Sequence, residues 1–322
     1  MLKRFKSFAV AVVPILMMTF AGCSKEKGVV ILSAVDTPNA QAVGEMYAQA
    51  LEAAKYRVER RFSLPQAQGA DEHALHHALR DGHIDIYVGY TGDETFMLDK
   101  EPATNQYTAY DDLKEYFEEE GITLLEPIPA NNAYTLVVLR EKAKGDGAKT
   151  SADNSDKSSA LKIAVPDAAY SIKTFTNIFD KSSTLKIAVT DAFKNGKEGF
   201  GALEKSYGAF SFAEVVTVED KDLFAALESG KADVAVARSN DGRLSDSKFK
   251  ALSDNYAAFV PQIITPIVKK TYIDNNPEIR EVLNKVSATL NDKEAIELNK
   301  QLTVLKKEPK EVAKQYLKDI GK

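Results

Sequence analysis

At 322 residues and 44% hydrophobic content the chain can bury a sizeable core, and its length suggests two domains or two lobes of one. A formal charge of −5, with basic residues scattered along the chain, disfavours a nucleic-acid backbone as partner. The sole cysteine, Cys23, excludes an intramolecular disulfide.

The N-terminus reads as an export signal. A cationic "MLKRFK" precedes the apolar run "FAVAVVPILMMTF", which is too short to span a bilayer as a helix. It ends in "TFAGC", which resembles a bacterial lipobox with Phe20 in place of the usual leucine. A lipoprotein signal peptide is therefore expected over residues 1–22, a lipid on Cys23, and a polar tether over 23–28.

From Val29 the pattern alternates between strands and helices. "VVILSAV" is a continuous apolar run, and "AVGEMYAQALEAA" places Val43, Met46, Tyr47, Ala50, Leu51 and Ala54 on one helical stripe. "YRVERRF" alternates as a strand, "DEHALHHALRDG" reads as a helix with a glycine stop, and "GHIDIYVGYTGDETF" carries a strand into Tyr90, Thr91 and Gly92. "YDDLKEYFEEEG" and "ITLLEPIP" supply a further helix and strand. Such alternation implies a mostly parallel sheet covered by helices.

After "NNAYTLVVLRE" the composition changes to Ser, Asp, Lys and Gly with no apolar period, so 141–165 is expected to be a polar surface insertion. "SSALKIAVPDA" from Ser158 returns as "SSTLKIAVTDA" from Ser182. Two copies indicate a local duplication rather than a repeat fold, and the second copy is expected to be the central strand. A second series follows: a helix from Glu198 to Tyr207, "EVVTV", "DKDLFAALESG" and "ADVAVARSNDG". The chain then passes through "YAAFVPQIITPIVKK" and ends in amphipathic helices starting near Pro277, Asp292 and Pro309. Two α/β lobes joined by two crossings leave a cleft beyond the strand ends, where Tyr90 falls.

The blocks "GEMYAQALEAAKYRVERRF", "HALRDGHIDIYVGYTGDE", "EPIPANNAYTLVV", "SIKTFTNIF", "GFGALEKSYGAFSF" and "SNDGRL" resemble, in order, the substrate-binding proteins of the glycine betaine/carnitine/choline class of ABC importers. The resemblance implies an α/β, type II periplasmic-binding-protein fold of two lobes with a hinge and an interlobe ligand cleft. Lobe one would hold 29–133 and 259–322, and lobe two 134–258. A permease, an ATPase and a monomeric, membrane-anchored state on the extracytoplasmic face are the implied setting, with no cofactor, no metal and no enzymatic activity.

Family members grip a quaternary ammonium in a cage of aromatic faces and a carboxylate by an arginine and amide donors. A trimethylammonium group carries no N–H, so ring faces must recognise it, each contributing about 0.5–2 kcal/mol. Carried over position by position, the resemblance implicates Ser33, Thr37, Tyr90, Thr91, Asn131, Asn132, Tyr134, Asn195 and Asp241, with Tyr256 near the returning crossing. Asn39 or Gln41 would serve for the family's glutamine, and Phe224 stands where a tyrosine is expected.

The departures bear on the ligand. Where the family has Asn-Arg-Pro-Asp-Gly, this chain reads "NGKEG", so Gly196 replaces the arginine, and Lys197 lacks the planar fork needed to substitute for it. Arg238 stands where an apolar or aromatic residue is common and is expected to supply the cleft's cation, facing a ligand carboxylate or pairing with Asp241. The family's glutamate before Tyr-Thr-Gly is Gly89 here, and Asp36, Asp93 and Glu94 add carboxylates near the mouth. These favour a cationic ligand such as choline or a basic amino acid, or are solvated rim charges. His73, His76, His77 and His83 cluster, and His73 and His77 share a helical face, yet no other ligand joins them at a zinc spacing. No phosphate loop or nucleophile elbow is present. An amino-acid or other small-cation binding protein, and a ligand-sensing receptor lipoprotein not coupled to transport, remain the alternatives.

Overall fold

Among the described residues two five-stranded sheets organise the molecule, each assembled from apolar runs that alternate with helices along the chain. The computed structural model describes residues 26–62, 73–95, 98, 102–143, 172–196 and 198–321. The expected lipid site at Cys23, the first copy of the duplicated segment, Lys197 and most of 141–165 lie outside the described residues. In chain order the strands are β1 (Val29–Ala34), β2 (Arg57–Arg60), β3 (Ile86–Tyr90), β4 (Ile122–Leu124) and β5 (Tyr134–Leu139). They continue with β6 (Lys186–Val189), β7 (Glu214–Thr217), β8 (Val234–Arg238), β9 (Phe249–Ala251) and β10 (Ile264–Lys269). One sheet runs β2-β1-β3-β10-β4 and the other β7-β6-β8-β5-β9. This is the two-lobe α/β arrangement that the sequence predicts, and the second copy of the duplicated segment forms β6, an interior strand.

The direction of the strands explains where a cleft can form. β1 runs parallel to β2 and β3, and β6 runs parallel to β7 and β8. β10 is antiparallel to β3 and β4, and β5 is antiparallel to β8 and β9. β5 and β10 are the strands that open each lobe after a crossing. A chain entering a sheet from the side where its parallel strands end must run against them. Hence Tyr134 pairs with Arg238, the last residue of β8, and Ile264 pairs with Tyr90, the last residue of β3. All these ends face one interlobe space.

The helices form where their caps and apolar stripes predict. Thr37 Oγ1 accepts the Ala40 N–H at 3.2 Å to cap helix Pro38–Ala53, which has proline in its first turn. That helix buries Val43, Met46, Tyr47 and Leu51 in one core with Val30 and Leu32 of β1. The same core takes Ile279, Leu283, Leu298, Val312 and Leu317 from helices Pro277–Ser287, Asp292–Asn299 and Pro309–Asp319. The C-terminus therefore closes the first lobe, and the Tyr47 and Ser287 hydroxyls meet inside it at 2.8 Å. The second lobe has its own cores around Phe175, Phe193 and Phe259 and around Leu223 and Phe249.

Two elements depart from the sequence expectation. β10 lies in a stretch read only as a crossing, and it carries Pro266, which ordinarily argues against an interior strand. The structure accommodates the missing donor locally. The carbonyl of Leu125, beside that proline, takes the Thr265 hydroxyl at 2.9 Å and the Tyr110 hydroxyl at 3.0 Å instead. The second departure is helix Thr91–Thr95, which begins on the residue after β3 rather than after a turn.

Candidate ligand cleft

A cavity of about 670 Å³ lies between the lobes. Thr37, Asn39, Tyr90 and Gln262 line one side, and Arg238 and Asp241 line the other. Tyr90 reaches it because β3 ends there with every residue buried, leaving the ring as the floor. Its hydroxyl meets Thr37 Oγ1 at 3.2 Å, so the helix cap and the strand end brace each other. Burial pushes the Tyr90 phenol above its usual range.

On the facing lobe, the ladder sets Arg238 directly opposite Tyr134 on neighbouring strands. The guanidinium lies 3.8 Å above the Tyr134 ring centroid and donates to the Asn132 carbonyl at 3.3 Å. Stacking of this kind contributes about 0.5–2 kcal/mol. Phe193 and Phe259 meet the same ring in T-shaped contacts with centroids 5.0 and 5.7 Å away. A second hollow of about 630 Å³ lies beyond Arg238, lined by Tyr134, Thr190 and Thr217. Arg238 therefore forms the wall between the two spaces.

At the back of the cleft Gln262 lies on the returning crossing, 3% exposed. Its Nε2 donates to Asp93 Oδ1 at 3.0 Å and reaches Glu198 Oε2 of the second lobe at 3.5 Å. Gly92 is what lets that amide sit there, since a Cβ on residue 92 would stand 2.5 Å from it. The junction Tyr90-Thr91-Gly92, where β3 runs into helix Thr91–Thr95, thus presents a ring to the cleft, a hydroxyl to the crossing and an open backbone to Gln262. Burial raises the Glu198 carboxyl above the ordinary range.

Of the residues singled out from sequence, the structure gathers Thr37, Asn39, Tyr90, Asn132, Arg238 and Asp241 around one cavity, with Tyr134 on the far face of Arg238. It does not bring the others there. The Ser33 hydroxyl is buried and donates to the Arg61 carbonyl at 2.6 Å. Thr91 Oγ1 donates to the Pro261 carbonyl and accepts the Ile263 N–H, tying β3 to the crossing. Asn131 Oδ1 accepts the N–H groups of Ala133 and Gln262, one on each crossing. Asn195 is exposed at the end of helix Asp191–Asn195. Phe224 is core, set edge-on to Phe249 at 4.7 Å with Arg243 over its face at 4.3 Å. Tyr256 is 60% exposed and packs against Tyr207 on the surface.

Asp241 lies at the cavity but is not the partner of Arg238. Its two oxygens bind Arg243, at 2.9 Å to Nε and 2.6 Å to NH2, and Arg243 also binds Asp220. The mouth carboxylates divide as well. Asp36 accepts from Gln41, Asp93 accepts from Gln262, and Glu94 is buried beneath the cleft, accepting from the Tyr87 hydroxyl at 2.9 Å. The carboxyl oxygen of Glu94 sits 3.0 Å from the place a Cβ on Gly89 would take. Sequence reasoning missed Gln262 because nothing in "FVPQIITP" marks a side chain turned toward the cleft. His76 is buried beside Phe117 with Nε2 3.0 Å from Glu120, and burial lowers its pKa. Among the described residues no group of three His, Cys, Asp or Glu side chains is placed to hold a metal.

Comparison with known proteins agrees with this architecture. The family model for the substrate-binding domain of ABC-type glycine betaine transport systems matches residues 28–319. The ergothioneine transport permease/ergothioneine binding protein EgtU of Helicobacter pylori is 25% identical over 280 residues, 87% of this chain and 45% of that protein. The chain thus spans under half the length of that relative. The glycine betaine-binding protein YehZ of Escherichia coli is 26% identical over 76% of both chains. A solved glycine betaine/carnitine/choline ABC transporter structure superposes with a TM-score of 0.73 at 23% identity, covering 90% of this chain and 98% of that one. Apo YehZ superposes at 0.69 with 21% identity, covering 91% and 98%. With the family match running from the first strand to the last helix, this chain belongs to the substrate-binding domains of ABC-type glycine betaine transport systems, a non-enzymatic class.

Proposed function

We propose that this protein captures a small quaternary-amine or related compatible solute, of the betaine, carnitine or choline type, by lobe closure and delivers it to a membrane permease. The observation that carries the reading is the interlobe cavity, which takes a ring from the end of β3 and a guanidinium from the end of β8. A ligand touching both lobes stabilises the shut state over the open one, and a docked permease senses that difference. The crossings near Asn131 and Gln262 absorb the motion. Thermal-shift screening of betaines, choline, carnitine, ectoine, ergothioneine and amino acids tests this. Stabilisation by one of them is the expected result, and no shift with any would remove the reading.

A lipid on Cys23 would hold the monomer on the extracytoplasmic face of the membrane, the cysteine following small residues and preceding a polar tether. Cells fed labelled palmitate should incorporate label into the wild type and not into Cys23→Ala. Equal labelling of both would contradict the anchor.

A further inference from the structure

We propose that the cleft takes an N–H-bearing zwitterion of amino-acid type, its carboxylate on Arg238 and its ammonium on Gln262, Glu198 and Asp93, in preference to a fully methylated betaine. The proposal rests on capture by lobe closure as read above and departs from that reading in the amine, which carries N–H donors in place of methyl groups.

Three observations converge. The first is the loss of an aromatic cage. Tyr90 is the one aromatic ring lining the interlobe cavity among the described residues, and the accessible face of Tyr134 already carries the Arg238 guanidinium at 3.8 Å. A trimethylammonium group, which depends on several ring faces, finds the second-lobe ring occupied by the protein's own cation. The second is a set of acceptors lacking donors. Gln262 Oε1 and Glu198 Oε1 are both buried without a hydrogen-bond partner, on a glutamine that is 3% exposed and a carboxylate beside it. Burying such groups unpaired is costly. A methylated ammonium cannot relieve that cost, whereas an N–H-bearing one can.

The third is the position of these atoms relative to closure. Gln262 belongs to the returning crossing and Glu198 to the second lobe, and they approach at 3.5 Å through Nε2. Parting the lobes separates them, exposes both unpaired oxygens and opens a place for an ammonium beside Asp93, which lines the cavity. Reclosure then seats three N–H donors against acceptors from both lobes. The two poles match an α- or ω-amino carboxylate: the guanidinium is a planar fork for the carboxylate, and the amide-carboxylate group is an acceptor set for the ammonium.

Isothermal titration of the protein with two matched pairs tests this: glycine betaine against N,N-dimethylglycine, and Nα-trimethyl-lysine against lysine. The N–H-bearing member of a pair that binds is expected to be tighter by at least about tenfold, because a site built to hydrogen-bond a donor rejects the analogue lacking it. In Glu198→Gln, whose amide can donate to Gln262 Oε1, the ratio of the two affinities should fall toward one. Equal or tighter binding of the methylated member in the wild type overturns the preference and leaves solute capture standing. If neither pair binds and the wider screen is also blank, solute capture itself falls and the preference with it.

Discussion

Asn131→Ala is expected to lower the stability of the ligand-free protein by about 2–4 kcal/mol, seen as a reduced urea midpoint. One side-chain oxygen of Asn131 accepts the Ala133 N–H and the Gln262 N–H, both at 2.9 Å, so it pins the outgoing crossing to the returning one. Its backbone joins the same clamp, the carbonyl taking the Ser239 hydroxyl at 2.6 Å and the N–H reaching Asp292 at 3.1 Å. Alanine leaves two backbone donors unpaired at the point where the lobes meet, each costing about 1–3 kcal/mol before water reaches it. Asn131→Asp, which keeps the acceptor oxygen, should lose much less. A residue that only touches ligand would behave differently: ligand-free stability would not change and affinity alone would drop. That outcome would contradict the clamp.

The second large effect concerns Glu94. It is buried under the cleft floor, and burial raises its pKa from 4.5 to about 8. The folded pKa lies above the unfolded one, so both states are protonated below about pH 4.5 and the group is then neutral to stability. Between about pH 4.5 and 8 the unfolded chain releases a proton that the folded one keeps, and stability falls as pH rises through that window. The loss reaches roughly 4–5 kcal/mol above pH 8, at about 1.4 kcal/mol for each pH unit that separates the folded and unfolded pKa values. Glu94→Gln keeps an acceptor for the Tyr87 hydroxyl without a titratable proton, so the variant should be increasingly more stable than the wild type from about pH 5 to about pH 9. Denaturant midpoints of the two proteins across that range measure it, and the difference cancels every other titrating group. Parallel curves would contradict the buried neutral carboxyl.

Much of the fold was legible because burial periodicity and caps agree locally. Proline marks the starts of helices Pro277–Ser287 and Pro309–Asp319, and Gly121 adopts a φ of +72° at the stop of helix Gln106–Glu119. β10 was not legible because Pro266 breaks the strand rule, and its compensation comes from Tyr110, far away in sequence. The cleft was legible in part. Tyr90 and Arg238 sit at strand ends, where the parallel sheets open, and chain order reveals that. Phe224 and Tyr256 were not placed correctly by aromatic character, because a ring's type does not say which face of a strand or helix it occupies. Phe224 turns into its lobe's core against Phe249, and Tyr256 outward against Tyr207. The pairing of Asp241 followed the same logic: the nearer guanidinium, two residues on, takes it at 2.6 Å.

The glycine at position 89 illustrates how a local departure is absorbed. A residue larger than glycine would press on Tyr87, Ile267 and the Glu94 carboxyl, at 3.1, 3.2 and 3.0 Å from its Cβ. The carboxyl that the family resemblance places on that residue is thus represented, in space, by one arriving from the following helix. It points beneath the cleft and bonds to Tyr87, so it contributes to the floor and not to the cavity lining.

The central claim is that a solute is held between the lobes by groups from both. Isothermal titration of the strongest solute from the screen, with wild type, Arg238→Ala and Tyr256→Ala, tests it most directly. A carboxylate-bearing solute should bind Arg238→Ala about 10–100-fold more weakly, the worth of a hydrogen bond to a charged group, and bind Tyr256→Ala as it binds the wild type. Undiminished affinity in Arg238→Ala would contradict the account.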